Sequence, residues 1–206
     1  MKVKICGITN KEDAIMVCEY GADAIGIVLA PEAKVRNRYV PFEEAIEILE
    51  VIPPFVTTVA VVVNEPMGKW VQYLTYFDYI QMCGEESPED IPVGQSIIKV
   101  FGVDEKFSLQ QLLAYKVRGY LLDVKMEQAH GGTGSVCNWD KAREAVETGK
   151  PIILAGGLNI DNVIEAIKTV QPYAVDVSTG VEQYPGKKDE NLVREFIYRA
   201  KNALSQ

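Results

Sequence analysis

Along the chain, short runs rich in β-branched and other apolar residues alternate with longer stretches whose apolar positions recur at three and four. The runs fall at 2–6 (KVKIC), 24–29 (AIGIVL), 56–63 (FVTTVAVV), 78–82 (DYIQM), 96–101 (SIIKVF), 119–124 (GYLLDV), 151–155 (PIILA) and 173–178 (YAVDVS). Helices are predicted between them at 11–20, 42–51, 66–76, 108–116, 139–148, 160–169 and 189–203. The stretch 85–95 is rich in acid and proline, so a helix after the fourth strand is expected to be reduced or irregular. Thr9-x-x-Glu12 and Ser108-x-x-Gln111 have the spacing of capping boxes, and Pro53-Pro54 closes the second helix. Eight β-runs with alternating crossovers, several of them apolar on both faces, predict an α/β fold of the closed parallel kind, a (β/α)8 TIM barrel. A doubly wound sheet is the alternative, but the first strand runs into KICGITN and not into G-x-G-x-x-G. With no linker or low-complexity segment, residues 1–206 are expected to form one domain.

Composition narrows the partners. A formal net charge of −8 and a pI near 4.8 argue against a nucleic-acid groove or an anionic membrane surface, both of which require a basic face. A small molecule is the expected partner, and the chain a monomer or a homodimer. No apolar window is long enough to span a bilayer, and the N-terminus lacks the pattern of a signal peptide, so a cytoplasmic location is expected. Cys6, Cys18, Cys83 and Cys137 lie far apart without C-x-x-C pairing, and His130 is the single histidine. A zinc ribbon, a redox pair or a catalytic transition metal is therefore not expected.

In such a barrel the residues closing each strand face the active site. Alternation along the strands turns Val3, Ile5, Tyr120, Leu122, Val175 and Val177 towards the helices, which sends Lys4, Cys6, Asp123 and Asp176 to the interior and mouth. Lys4, Lys99 and Asp176 are expected to neutralise one another there, since buried charges need partners. Gly156 and Gly157 follow strand seven, and Ser178, Thr179 and Gly180 follow strand eight, the two loops that commonly cradle phosphate through backbone N–H groups. A phosphorylated substrate is the expectation.

Each residue also has a plainer reading. A free cysteine such as Cys6 is more often a small buried hydrophobe than a base, and Cys18 and Cys137 keep that structural reading. Asp176 is as readily half of an interior ion pair as a substrate contact. Gly131-Gly132-Thr133-Gly134-Ser135 lacks the lysine of a nucleotide phosphate loop and suits a flap better. Lys187 and Lys188 are read as solvated, with a phosphate role open, and Trp139 as packing beneath its helix.

The motifs KICGIT (4–9), RYV (38–40), QMCGEE (81–86), LLD (121–123) with GGTGSVCNW (131–139), LAGGLN (154–159), and VDVSTGVE followed by PGKKD (175–189) run in order over nearly the whole chain. In that combination the sequence resembles the phosphoribosylanthranilate isomerases. The resemblance implies an Amadori rearrangement of tryptophan biosynthesis, converting N-(5-phosphoribosyl)anthranilate to 1-(2-carboxyphenylamino)-1-deoxyribulose 5-phosphate without a cofactor. It assigns Asp123 as general acid and Cys6 as general base, and Arg38 as the guanidinium that takes the anthranilate carboxylate. Arg36 stays open as an alternative, because the loop from Glu32 to Asn37 is longer than the family's and lacks a serine before the arginine. Cys83 stands where the family commonly has histidine. Two rivals remain at this level: the isomerase of histidine biosynthesis, which has an aspartate in place of Cys6 and a twofold repeat absent here, and a non-catalytic phosphosugar-binding barrel.

Overall fold

A computed structural model describes residues 1–104, 106–123 and 139–204. Eight parallel strands close into a barrel in sequential order: β1 (Lys2–Cys6), β2 (Ala24–Val28), β3 (Thr57–Val62), β4 (Tyr79–Met82), β5 (Ile97–Gly102), β6 (Gly119–Asp123), β7 (Ile152–Ala155) and β8 (Ala174–Val177). The ring closes where Lys4 of β1 stands in register with Asp176 of β8, and Cys6 lies opposite Gly26 of β2. Around it run α1 (Lys11–Glu19), α2 (Phe42–Leu49), α3 (Met67–Tyr73), α4 (Leu109–Ala114), α5 (Trp139–Glu147), α6 (Val163–Val170) and α7 (Glu190–Asn202). After β4 stands only the 3-10 turn Pro88–Asp90, as the proline and acids of that stretch predict. The fold is the TIM barrel expected from the hydrophobic pattern.

Strand alternation produces two cores. Val3, Ile5, Tyr120, Leu122, Val175 and Val177 pack outward with the helices in the larger one. Val59, Ile98, Leu121, Ile153, Ala155 and Ala174 fill the barrel itself. Burying the valine, leucine and isoleucine side chains among them stabilises the fold by about 1.5–3 kcal/mol each against leaving them exposed.

Two local expectations change. Helix α1 is capped by Asn10, whose Oδ1 accepts the Asp13 N–H at 2.8 Å, and not by Thr9. Thr9 is spent elsewhere, donating its hydroxyl to the Gly186 carbonyl at 2.6 Å. Ser108 does cap α4 through the Gln111 N–H. A reciprocal capping box forms instead at Ser87 and Asp90, where the helix is too short for periodicity to reveal it.

A small device absent from the sequence reading follows β8. The 3-10 turn Thr179–Val181 leads into an antiparallel hairpin, β9 (Glu182–Tyr184) and β10 (Lys187–Lys188), before α7 begins. Strands of two or three residues leave too few positions for an alternation to show.

Candidate active site

At the C-terminal rim, β1 ends on Cys6 and β6 on Asp123. Two residues before Cys6 on the same strand, the Lys4 ammonium donates to Asp176 Oδ1 at 2.8 Å, with the two side chains only 4% and 9% exposed. Lys4 and Cys6 come together beside Gly26: a Cβ there would lie 2.8 Å from the Cys6 sulfur and 3.1 Å from the Lys4 nitrogen. Glycine at this position makes room for the thiol and the amine side by side.

Burial pushes the Cys6 thiol above its ordinary pKa. The Lys4 ammonium, by charge and hydrogen bond, and the Lys188 ammonium pull it down, while Asp176 pushes it up. The expected help from Lys4 is present but does not overcome desolvation, so the resting group is the thiol. For Lys4 itself, burial favours the neutral amine, yet Asp176 and Cys6 outweigh it and hold the ammonium.

Lys99 does not join Lys4 and Asp176. Its position puts it on the outward parity of β5, where its ammonium donates to the Gly84 carbonyl at 2.7 Å and to Glu86 at 3.0 Å, near the rings of Phe101 and Tyr115.

Arg38 and Arg36 separate clearly. Arg36 ends the exposed 3-10 helix Pro31–Arg36, whereas Arg38 turns inward over Gly7 and grips Glu182 with both arms. Nε reaches Glu182 Oε1 at 2.8 Å and Nη2 reaches Oε2 at 2.6 Å, with a further 3.3 Å contact from Nη2 to Thr179 Oγ1. Glu182 also accepts from the Lys188 ammonium at 3.1 Å. Burial would raise the Glu182 pKa, but the hydrogen bonds from Arg38 and Lys188 and their charges leave it below the usual carboxylate range.

Lys188 is not solvated. Its side chain is 0% exposed, it donates to the Ser178 carbonyl at 3.2 Å, and burial lowers its pKa despite Glu182. Lys187 instead pairs with the buried Asp13. Glu182 is the residue of this region that the sequence does not single out, since only the GVE motif contains it; Lys188, expected to be solvated or to meet phosphate, is buried against it.

The phosphate-loop candidates meet in space. Gly156 and Gly157 adopt φ of 93° and 66°, conformations open to glycine and strained for other residues. A Cβ on Gly180 would stand 2.0 Å from the Leu158 carbonyl oxygen, so the loops after β7 and β8 touch backbone to backbone. Ser178 and Thr179 open the 3-10 turn there, whose first amides have no partner inside the turn. Asn162 stitches the β7 loop by accepting the Asn159 N–H at 2.9 Å and donating to the Gly157 carbonyl at 3.0 Å.

Near the mouth, Gln81 Nε2 contacts the Cys83 sulfur at 3.5 Å, and among the described residues its buried Oε1 has no donor. Burial pushes the Cys83 thiol up to about 12. Cys18 is half-buried against the outer core, as the structural reading has it. His130, Cys137 and the glycine-rich stretch 131–135 lie outside the described residues. A cavity of about 570 Å³ opens at the other end of the barrel, between strand beginnings such as Lys2, Ala24, Thr57 and Gly119. It is remote from the strand-end groups that carry chemistry in this architecture.

The model of the family described as N-(5'phosphoribosyl)anthranilate (PRA) isomerase matches residues 3–199. The chain belongs to the phosphoribosylanthranilate isomerase family. The N-(5'-phosphoribosyl)anthranilate isomerase of Geobacter metallireducens is 48% identical over 204 residues, which cover 98% of this chain and 99% of the relative. The crystal structure of phosphoribosyl anthranilate isomerase from Thermotoga maritima superposes with a TM-score of 0.85 at 40% identity, covering 98% and 99% of the two chains. A crystal structure of phosphoribosyl anthranilate isomerase in complex with reduced 1-(o-carboxyphenylamino)-1-deoxyribulose 5-phosphate gives a TM-score of 0.83 at 38% identity over the same shares. Membership of this isomerase family sets aside the histidine-pathway rival. Among the described residues no helix is long and apolar enough to cross a membrane, and no group of three or more His, Cys, Asp or Glu is placed to hold a metal ion.

Proposed function

We propose that the chain carries out its family's reaction, the Amadori rearrangement of N-(5'-phosphoribosyl)anthranilate in tryptophan biosynthesis, with Cys6 and Asp123 dividing the proton transfers. Asp123 donates a proton to the ring oxygen as the bond from that oxygen to C1 breaks, leaving an open-chain Schiff base. The electron-poor C=N acidifies the neighbouring C2–H, and the Cys6 thiolate takes that proton to give the enolamine. Ketonisation then places a carbonyl at C2 and a proton on C1. C1 is reduced and C2 oxidised within one molecule, so no external electron carrier is involved.

In this reading Gly156, Gly157, Ser178, Thr179 and Gly180 hold the phosphate, where two backbone segments meet at glycine and leave amide groups for an anion. Arg38 takes the anthranilate carboxylate, for which a planar guanidinium is matched in shape and charge. Asp176 acts from below through Lys4. The observation that carries the reading is the full-length family match together with a cysteine at the end of β1, beside a buried ammonium that favours its ionised form. We place the enzyme in the cytoplasm as a monomer or homodimer; one solved structure is of monomers generated from the dimeric isomerase of Thermotoga maritima.

The test is an anthranilate fluorescence assay on the wild type, Cys6→Ala and Asp123→Asn. Each substitution is expected to lower kcat by about 10²–10⁴-fold, the usual contribution of a positioned acid or base, with affinity for a reduced product analogue nearly unchanged. Near-normal turnover in either variant removes that residue from its role. A wild type that binds the analogue without turning over substrate is a phosphosugar-binding barrel and no isomerase.

A further inference from the structure

The hairpin after β8 is tied down on three sides. Thr9, just after β1, donates to the Gly186 carbonyl at 2.6 Å, and the Lys188 N–H donates to Asp13 of α1 at 2.8 Å. At its turn, a Cβ on Gly186 would lie 2.0 Å from the Asn37 carbonyl oxygen, so the hairpin rests on the backbone next to Arg38. Asn37 is itself left-handed, with φ of 51°, which turns the chain inward at Arg38. What this scaffold presents is Glu182, 3% exposed, between the guanidinium of Arg38 and the ammonium of Lys188, which is 0% exposed. Assembling three charges in so enclosed a place is an inefficient way to gain stability, since their desolvation offsets most of the attraction.

From this geometry we infer that Glu182 is a positioning residue: it clamps the Nε and Nη2 side of Arg38 and so presents the remaining edge of the guanidinium to the substrate's aromatic carboxylate. The inference rests on the reading of Arg38 as the carboxylate's partner. A guanidinium has five N–H groups arranged as two bidentate edges. Glu182 occupies the side edge with bonds of 2.8 and 2.6 Å. The end edge, formed by Nη1 and Nη2, meets among the described residues only the Thr179 hydroxyl at 3.3 Å. A hydroxyl rotates away readily, so the second carboxylate finds a fork already fixed in plane. Lys188 completes the arrangement by donating to the same Oε1 that takes Arg38 Nε, which anchors Glu182 and balances its charge. Without Glu182 the same arginine would swing on its flexible stem and carry that disorder into each binding event, which weakens selectivity more than it weakens the phosphate contacts.

The experiment compares two ligands by calorimetry: the reduced product analogue and its counterpart in which the 2-carboxyphenyl ring is replaced by phenyl. The proteins are the wild type, Arg38→Ala, Glu182→Gln and Glu182→Asp. Glu182→Asp keeps a charge for Lys188 but withdraws the carboxylate by one methylene, so it reports even if Glu182→Gln fails to fold. The wild type is expected to prefer the carboxylated ligand, Arg38→Ala to lose that preference, and both Glu182 variants to lose about ten-fold or more of it. Affinity of the Glu182 variants for the phenyl ligand should stay within about three-fold of the wild type, as positioning of one arginine predicts. A folded Glu182 variant with the wild-type preference ratio overturns the inference while leaving Arg38 in its role. Equal loss of both ligands also overturns it, because Glu182 would then only support the fold. If Arg38→Ala keeps the full preference, the reading of Arg38 fails and the inference with it.

Discussion

Cys6 illustrates how one residue's chemistry is set by neighbours on three strands. Burial opposes its ionisation, Lys4 on the same strand and Lys188 on β10 favour it, and Asp176 on β8 opposes it again; Arg38 and Cys83 also stand within electrostatic range of the thiol. Because Lys4 is shared between Asp176 and Cys6, substitutions at the two ends of the pair act on the thiol in opposite senses. Lys4→Met removes a charge that favours the thiolate, so the Cys6 pKa rises. Asp176→Asn removes a charge that opposes it and frees the ammonium for the sulfur, so the pKa falls. The rate of iodoacetamide labelling of the Cys6 peptide, resolved from those of Cys18, Cys83 and Cys137 by mass spectrometry, reads this directly against pH. In the wild type kcat/KM should climb with pH as the thiolate forms, and its midpoint should move up in Lys4→Met and down in Asp176→Asn. Shifts in the same direction would mean that Lys4 does not mediate between the carboxylate and the thiol. Breaking the buried pair also destabilises the fold by about 3–5 kcal/mol, so both variants are compared under conditions where they remain folded.

At the scale of elements, the loops after β7 and β8 act together because their backbones touch at Gly180 and Leu158. Gly180→Ala puts a methyl group onto a carbonyl that cannot swing aside, and the two loops must part. The expected result is at least about a ten-fold rise in KM for the phosphorylated substrate, with weaker protection by inorganic phosphate against thermal unfolding. Gly68 provides the opposite case: it lies in α3, a Cβ there meets nothing within 4 Å, and Gly68→Ala should stabilise the protein by about 0.5 kcal/mol in urea unfolding without touching activity. The contrast marks what the sequence makes legible. All eight strands are readable because each is a short, bounded run of β-branched and apolar residues with a helix or reduced crossover between it and the next, and Cys6, Asp123 and the two glycine loops follow from where the strands end. Lys99 was misplaced because a charge in a strand suggests the interior until the parity of Ile98 and Val100 is known. Glu182 is hidden because its partner Arg38 lies far away along the chain, and nothing local records that a hairpin folds back over it, which is also what buries Lys188 against Glu182.

Taken whole, the molecule is a closed ring whose ends differ: apolar side chains fill the middle, while thiols, amines and carboxylates gather at one rim. Such a distribution ties stability to pH through groups that titrate differently when folded. Cys83 is the clearest, with burial holding its pKa near 12 against about 8.5 for an unfolded cysteine. A group whose folded pKa is raised contributes stability that is fully present below the unfolded value and is lost as pH climbs through the folded one. Between about pH 8.5 and 12 the folded chain therefore binds more protons at this site than the unfolded chain, and the contribution of Cys83 declines across that window. Cys6 acts in the same direction, whereas Lys188, its pKa lowered by burial, acts in the opposite one. A difference between two proteins isolates Cys83 from both. Cys83→Ala should be less stable than the wild type at pH 8, where the buried thiol packs without ionising. The gap should narrow by at least about 1 kcal/mol when urea unfolding is repeated at pH 11, because only the wild type then sets a thiol that resists ionisation against one that ionises freely. If the two stability curves run parallel from pH 8 to 11, the environment around Cys83 does not resist a charge, and the rim is wetter than its packing implies.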